Sequence, residues 1–320
     1  MKIIFFGTPN FAVPILKRIL SSNHKVIAVI TQPDRPRGRG KRISESPIKQ
    51  LAKTNNIPVL QPQKIKERVF LETLTQLKPD LGIVAAYGKM LPEQVLTLPK
   101  FGLINAHASL LPKYRGAAPI QRAVMAGEKE TGISVIKLVK EMDAGPILKL
   151  KKILIDQKET STLIEQRLAE LASSLIAETV SELENNKISE KEQDHDRATF
   201  APRLTKEDGL INWSASAMTI HNQIRGLHPW PHGFTYLKKI RYILHRTIVA
   251  DVILRNVDGH RPKPGEIIKA TGDCLMIAAG KNTALKILEI QPEGGRVLSS
   301  RAFLAGHNIK TGLSFNINPL

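Results

Sequence analysis

Six short apolar runs, at 3–6, 26–30, 57–60, 81–86, 103–106 and 133–138, alternate with stretches whose apolar residues return every three or four positions, such as 11–20, 64–77 and 117–125. The runs are short and rich in β-branched and aliphatic residues. That pattern belongs to strands covered on both faces, and alternation with helices makes them parallel. The expected first half is therefore α/β: a doubly wound, mostly parallel, Rossmann-like sheet. In open sheets of this kind ligands sit outside the carboxyl ends of the strands. Polar residues that follow an apolar run are then the first candidates for chemistry.

From 161 to 183 the apolar residues keep helical spacing, as a long helix closing this first domain would. Residues 184–197 are polar and lack periodicity. The last 120 residues read differently, with short strand-like runs punctuated by Gly, Pro and Asp. A small β-barrel domain, OB-like, is the expected architecture there. The expected division is a catalytic domain over 1–188, a linker over 189–205 and a second domain over 206–320.

With 47 Lys and Arg against 29 Asp and Glu, the 320-residue chain carries a formal charge of +18. Such an excess points to a polyanionic partner, nucleic acid before an anionic membrane surface. A proteome with a general basic bias would produce the same number. The last 120 residues hold 16 Lys and Arg against 8 Asp and Glu, so the second domain shares the charge. Cys274 is the only cysteine, so no disulfide can form within the chain, in keeping with a reducing cytoplasm. No run approaches a membrane-spanning length, and no Cys/His spacing suits zinc.

The fifth run ends in Asn105-Ala106-His107-Ala108-Ser109-Leu110-Leu111-Pro112. Period-two geometry sends the side chains of Asn105 and His107 to one face. An amide and an imidazole there can both donate to an oxyanion, and Asp143, in Met142-Asp143-Ala144-Gly145, can orient the imidazole or relay a proton. These are parts for acyl transfer. Taken alone, Asp-x-Gly is an ordinary turn, and its meaning comes from the set. The backbone at Ser109, Leu110, Leu111 and Pro112, with Ala86, Tyr87 and Gly88 after the fourth run, either walls a flat heterocycle or forms two ordinary strand-to-helix loops. Gly7-Thr8-Pro9 is no dinucleotide fingerprint, since proline removes an amide. Trp230, between Pro229 and Pro231, reads as a packing anchor.

A basic loop follows the second run: Arg35, Arg37, Arg39, Lys41 and Arg42 alternate with Gly and Pro. It lies on the carboxyl side of the sheet. A loop that orders on a phosphate backbone is the expectation.

Phe6-Gly7-Thr8-Pro9-x-Phe11, Gln32 to Pro36, Gly38 to Lys41, Ala85 to Gly88, Asn105 to Pro112, Arg115 to Gln121, Met142-Asp143-x-Gly145, Lys206 to Gly209 with Trp213, and Pro229 to Pro231 occur in one order along nearly the whole chain. This order resembles the formyltransferases that use 10-formyltetrahydrofolate, and within them the branch acting on charged initiator tRNA. Ala108 and Asn212 depart slightly from the usual residues. The resemblance implies formyl transfer to the α-amine of methionyl-initiator tRNA in the cytoplasm, for translation initiation, with no metal. It implies catalysis by Asn105, His107 and Asp143, folate contacts at Ser109 to Pro112, and tRNA contacts from the basic loop, notably Arg39. It implies no membrane association and no obligate protein partner.

Overall fold

A computed structural model describes all residues except 38–41, 253–260, 317, 319 and 320. It divides into two compact units. The first comprises Met1–Pro119, Glu130–Leu154 and Ile164–Pro202; the second comprises Ile120–Lys129, Ile155–Leu163 and Arg203–Leu320. The stretch read as a linker is thus built into the first unit as far as Pro202.

The first unit is organised by β1 (Lys2–Gly7), whose residues Ile3 to Phe6 are completely buried. After it come α1 (Ala12–Leu20), β2 (Lys25–Ile30), the short strands β3 (Arg35–Arg37) and β4 (Arg42–Ser44), α2 (Pro47–Thr54), β5 (Val59–Leu60), α3 (Arg68–Leu77), β6 (Leu81–Ala85), α4 (Glu93–Leu96) and β7 (Leu103–His107). Then follow β8 (Arg115–Gly116), α5 (Pro119–Ala126), β9 (Glu130–Lys137), β10 (Ile147–Leu154), α6 (Ser161–Glu184) and β11 (Phe200–Ala201). The main sheet has the order β10-β9-β7-β6-β1-β2-β5. Its five strands from β7 to β5 are parallel, while β9 and β10 run antiparallel at one edge. The mostly parallel sheet is as expected. Strand β10 was not, because Lys149, Lys151 and Lys152 interrupt its apolar pattern; at the edge of the sheet it has one strand neighbour, and of its residues only Leu148 is buried.

Helices cover the sheet through apolar stripes. In α1 the buried residues are Ala12, Ile15, Leu16 and Ile19, three or four apart. In α2, Ser46 caps the amino end by accepting from the Lys49 amide at 3.1 Å, with proline at the first position. The basic loop is a hairpin in its paired part: Arg35 faces Ser44, Pro36 faces Ile43 and Arg37 faces Arg42. Its root is held by Asp34, which accepts from Lys49 Nζ and from Gln61 Nε2.

The second unit, which also takes in residues 120–126 of α5, is built around an antiparallel sheet with two further helices. Its elements are α7 (Ala217–Gly226), β12 (Gly233–Leu237), β13 (Ile240–Ala250), β14 (Ile267–Thr271), β15 (Cys274–Ala279), β16 (Thr283–Pro292), β17 (Leu298–Ser299) and α8 (Ser300–Gly306). The strand order is β12-β13-β16-β15-β14, with β17 on β16. Among the described residues β12 and β14 do not pair, so regular strands do not close the sheet into a barrel. Residues 313–316 reach both open edges instead: Asn316 and Tyr236 exchange backbone bonds at 2.7 and 3.0 Å, and Ile267 donates to Leu313 O at 2.8 Å. Trp213 is the aromatic anchor of this core, stacked on Phe315 and donating through Nε1 to Thr235 Oγ1 at 3.0 Å. Trp230 is not an anchor, since 51% of it is exposed. Among the described residues no helix is long and apolar enough to cross a membrane.

Three histidines gather in this unit: the ring centroids of His228 and His232 are 5.6 Å apart, and those of His232 and His245 are 4.6 Å apart. Burial, then the charges of His245 and His228, bring His232 down to about 4. The folded protein therefore holds His232 neutral where the unfolded chain would protonate it. Between pH 6.5 and 4 the unfolded state binds more protons, so stability present above 6.5 is lost as pH falls through this window. Urea unfolding followed at pH 7, 6, 5 and 4 is expected to show that loss, with a shallower dependence in His232→Gln.

Candidate active site

Asn105 and His107 stand two apart at the carboxyl end of β7, on one side of the sheet. The parallel register sets Val84 opposite Asn105, so the loop after β6 begins level with His107. His107 is only 5% exposed, and its Nε2 lies 2.9 Å from the Tyr114 carbonyl oxygen. A carbonyl only accepts, so Nε2 carries the hydrogen and the ring orientation is fixed. The other nitrogen, Nδ1, faces Asp143 Oδ2 at 3.5 Å. Asn105 is partly exposed, and its amide makes no side-chain hydrogen bond among the described residues. An uncommitted amide beside a fixed imidazole is a donor ready for an incoming oxygen.

Asp143 is held by its loop. Its backbone adopts φ +52°, in the left-handed region that Asp tolerates better than most residues. Its Oδ2 accepts from the Gly116 amide at 2.9 Å. Gly145 lets the loop lie directly on β9, because a Cβ there would run into the carbonyl oxygen of Lys137. Sequence reasoning grouped Asn105, His107 and Asp143 as one set, and the structure places His107 Nδ1 and Asp143 Oδ2 3.5 Å apart.

The loop after His107 is fastened internally. Ser109 is completely buried; its hydroxyl donates to Lys113 O at 2.6 Å, and its carbonyl accepts from Ser134 Oγ at 2.7 Å. Ser134 Oγ also accepts from the Leu111 amide at 3.0 Å. The polar groups of Ser109 are thus committed to shaping the turn. Leu111 is buried as well, which leaves Leu110 and Pro112 partly exposed. In the loop after β6, Ala86 and Gly88 are exposed and both have positive φ, while the Tyr87 ring is buried edge-on against Phe6 at 5.4 Å. Burial pushes the Tyr87 hydroxyl above its ordinary range. Thr8 and Gln32 both donate to its carbonyl. Tyr87 serves this loop as an anchor, and Ala86 and Gly88 are its outward surface.

Of the basic residues, Arg35 is exposed, and Arg37 and Arg42 are described by their backbone pairing alone. Arg39 and Lys41 lie outside the described residues. No group of three His, Cys, Asp or Glu side chains gathers in a way that could hold a metal among the described residues.

Two contributors escaped sequence reasoning. Ser134 interrupts the apolar run of β9, and a lone hydroxyl in a buried strand was a readable signal. Gln193 gave none: it sits in the polar stretch 184–197, yet it is 5% exposed and bonds the carbonyls of Asp143 and Gly145 at 2.9 and 2.7 Å. Gly145→Ala is expected to displace the Asp143 loop. Formyl-group or other acyl turnover should fall by about 10²-fold, the scale of an ångström-level misplacement, while far-UV circular dichroism stays native. Turnover equal to the parent's would show that the close approach at Gly145 does not set the site.

Residues 1–180 match the family model described as formyl transferase, and residues 203–308 match the one described as formyl transferase, C-terminal domain. The methionyl-tRNA formyltransferase of Caldanaerobacter subterraneus subsp. tengcongensis is 45% identical over 313 residues, covering 98% of this chain and 99% of that protein. That of Desulfotalea psychrophila is 44% identical, covering 97% and 94%. Among solved structures, the N-formyltransferase from Helicobacter canadensis, in complex with folinic acid and dTDP-3-aminofucose, aligns with a TM-score of 0.69 at 18% identity, over 90% of this chain and 98% of that one. The methionyl-tRNA formyltransferase from Clostridium thermocellum aligns with a TM-score of 0.54 at 19% identity, over 78% and 94%. At these identities the structural likeness speaks to fold.

Proposed function

The chain belongs to the methionyl-tRNA formyltransferase family, and from that membership we propose how its residues divide the work of the reaction. The activity is transfer of the formyl group of 10-formyltetrahydrofolate to the α-amine of methionyl-initiator tRNA, which prepares that tRNA for translation initiation. The observation that carries this reading is 45% identity along 98% of the chain to a protein of that name.

The chemistry starts from a free amine. An α-amine has a reference pKa of roughly 7.7–8.0, and an ester neighbour withdraws electrons further, so much of it is neutral near pH 7. The amine nitrogen forms a bond to the formyl carbon, and the carbonyl oxygen becomes an oxyanion. The tetrahedral centre then collapses by breaking the bond from carbon to the folate nitrogen. One proton leaves the amine and one proton must reach that nitrogen.

Asn105 is the oxyanion donor, and its uncommitted amide supports the role. Losing one such donor typically costs ~10²–10³ in rate. His107 keeps Nε2–H on Tyr114 O and turns Nδ1 to Asp143. In this arrangement the imidazole and the carboxylate form one unit that takes the proton from the amine and returns it to the leaving nitrogen. A protonated imidazole also lowers the energy of the neighbouring oxyanion. The folate ring is held against Leu110, Pro112, Ala86 and Gly88, which present exposed or partly exposed surface, with Ser109, Leu111 and Tyr87 as the braces behind them. Arg35, Arg37, Arg39, Lys41 and Arg42 engage the tRNA backbone, and the second unit, an OB-like fold with an excess of Lys and Arg, offers basic residues of its own to the same partner. The protein acts in the cytoplasm, where charged tRNA is made.

The deciding assay offers 10-formyltetrahydrofolate with charged initiator tRNA and, in parallel, charged elongator methionine tRNA. Formylation of the initiator alone is expected. Transfer to neither, with folate still bound, would turn the reading toward a small amine acceptor such as an amino sugar. Within that assay, Asn105→Ala and Asp143→Ala should each lower kcat by about 10²-fold or more and leave tRNA affinity within about twofold. Arg39→Ala combined with Arg42→Ala should weaken tRNA binding and flatten its salt dependence, leaving kcat at saturating tRNA close to the parent value.

A further inference from the structure

The segment after α6 returns over the carboxyl end of the sheet and supplies a side chain to the back of the site. Its β11 pairs in parallel with β8, so that Phe200 faces Arg115 and Ala201 faces Gly116. Thr199 O accepts from the Arg115 amide at 2.8 Å, and Thr199 Oγ1 accepts from the Tyr114 amide at 2.9 Å. These bonds hold the two backbone groups that touch the catalytic pair: the Tyr114 carbonyl on His107 and the Gly116 amide on Asp143.

Gln193 lies in this returning segment, and all four of its hydrogen-bonding positions are used. Both amide hydrogens are donated, to Asp143 O at 2.9 Å and to Gly145 O at 2.7 Å. Its carbonyl oxygen accepts from Arg115 Nη2 at 2.7 Å and Arg115 Nε at 3.2 Å. The partners settle which atom is which, since carbonyls cannot donate and a guanidinium cannot accept. Arg115 is itself only 6% exposed, and its Nη2 also reaches His195 Nδ1 at 3.0 Å. The loop it grips includes a non-glycine residue with positive φ, a conformation that persists where its surroundings over-determine it.

We infer that Gln193 is a positioning residue for formyl transfer: it clamps the Asp143 loop to Arg115 and so keeps the carboxylate against His107. This rests on the reading of Asp143 as part of the catalytic pair. Only an amide meets the requirement. Glutamate has the same shape and would hold Arg115 more strongly, but it would turn unprotonated oxygens toward two carbonyls. Glutamate is therefore the informative replacement, because it retains the packing and removes the grip on the loop.

The test compares Gln193→Glu, Asp143→Asn and the double variant by steady-state formyl transfer in the full chain. Gln193→Glu is expected to lower kcat by about 10²-fold, to leave KM for charged tRNA within about twofold, and to shift the pH profile of kcat/KM, which a purely structural loss would not move. In the Asp143→Asn background the same change should cost less than about twofold, because the group it positions is already disabled. Should the buried charge lower the yield of folded protein, Gln193→Met, neutral and of similar length, is expected to give the same kinetic pattern. Near-parental kcat in either Gln193 variant would overturn the proposal, as would losses that multiply in the double variant. Near-parental kcat in Asp143→Asn alone would instead strike the role of Asp143 itself, and with it this route for Gln193.

Discussion

A carboxylate stays beside an imidazole in a largely covered site only if other groups satisfy its oxygens and hold its backbone still. Asp143 meets that condition through contacts that come from widely separated parts of the chain. The Gly116 amide donates to Oδ2, Gly145 lets the loop lie flat on β9, and Gln193 binds the loop's carbonyls. If any of these shifts, the 3.5 Å approach to His107 Nδ1 changes. The pair is thus less a property of two residues than of the chain between Tyr114 and Gly116, the loop that includes Asp143, and the segment from Gln193 to Ala201.

The division of labour follows the mechanics of each element. Strand β7 lies between β6 and β9, so Asn105 is paired on both sides, with Val84 and Ile136, and His107 is paired with Ser134 of β9. The groups that must not move are there. The outward surfaces of the two neighbouring loops, Leu110, Pro112, Ala86 and Gly88, which the proposed folate site would use, lie on loops braced by Ser134 and Tyr87. Loops of this kind carry specificity on a rigid frame. The root of the basic hairpin is pinned by the bonds of Lys49 and Gln61 to Asp34.

Much of this was legible in the sequence for physical reasons. Strands covered on both faces are dominated by aliphatic residues, so β1, β2, β6 and β7 announced themselves, and the polar Asn105 and His107 stood out at the carboxyl end of β7. Strand β10 stayed hidden because an edge strand, paired on one side only, tolerates lysines on both faces. Gln193 stayed hidden because nothing in a polar stretch distinguishes a solvated amide from one with four partners; that difference exists only after β11 has paired with β8. Trp230 was misread for a related reason. Its prolines fix the backbone but do not say which way the ring points, and it points outward while Trp213 fills the core. The second unit showed its short strands in composition, but the way residues 313–316 reach both sheet edges depends on pairings between distant residues.

The two units share the chain in an interleaved way: it passes from one to the other after Pro119, Lys129, Leu154, Leu163 and Pro202. A single cut therefore cannot yield two self-sufficient halves. Severing the backbone after Pro202 would leave residues 120–129 and 155–163 attached to the wrong fragment. Recombination between relatives faces the same obstacle, because exchanging the last 118 residues alone, 203 to 320, would confront a foreign body with two native inserts. Any successful graft would have to carry those inserts with it, because they belong to the second unit although the chain reaches them from within the first.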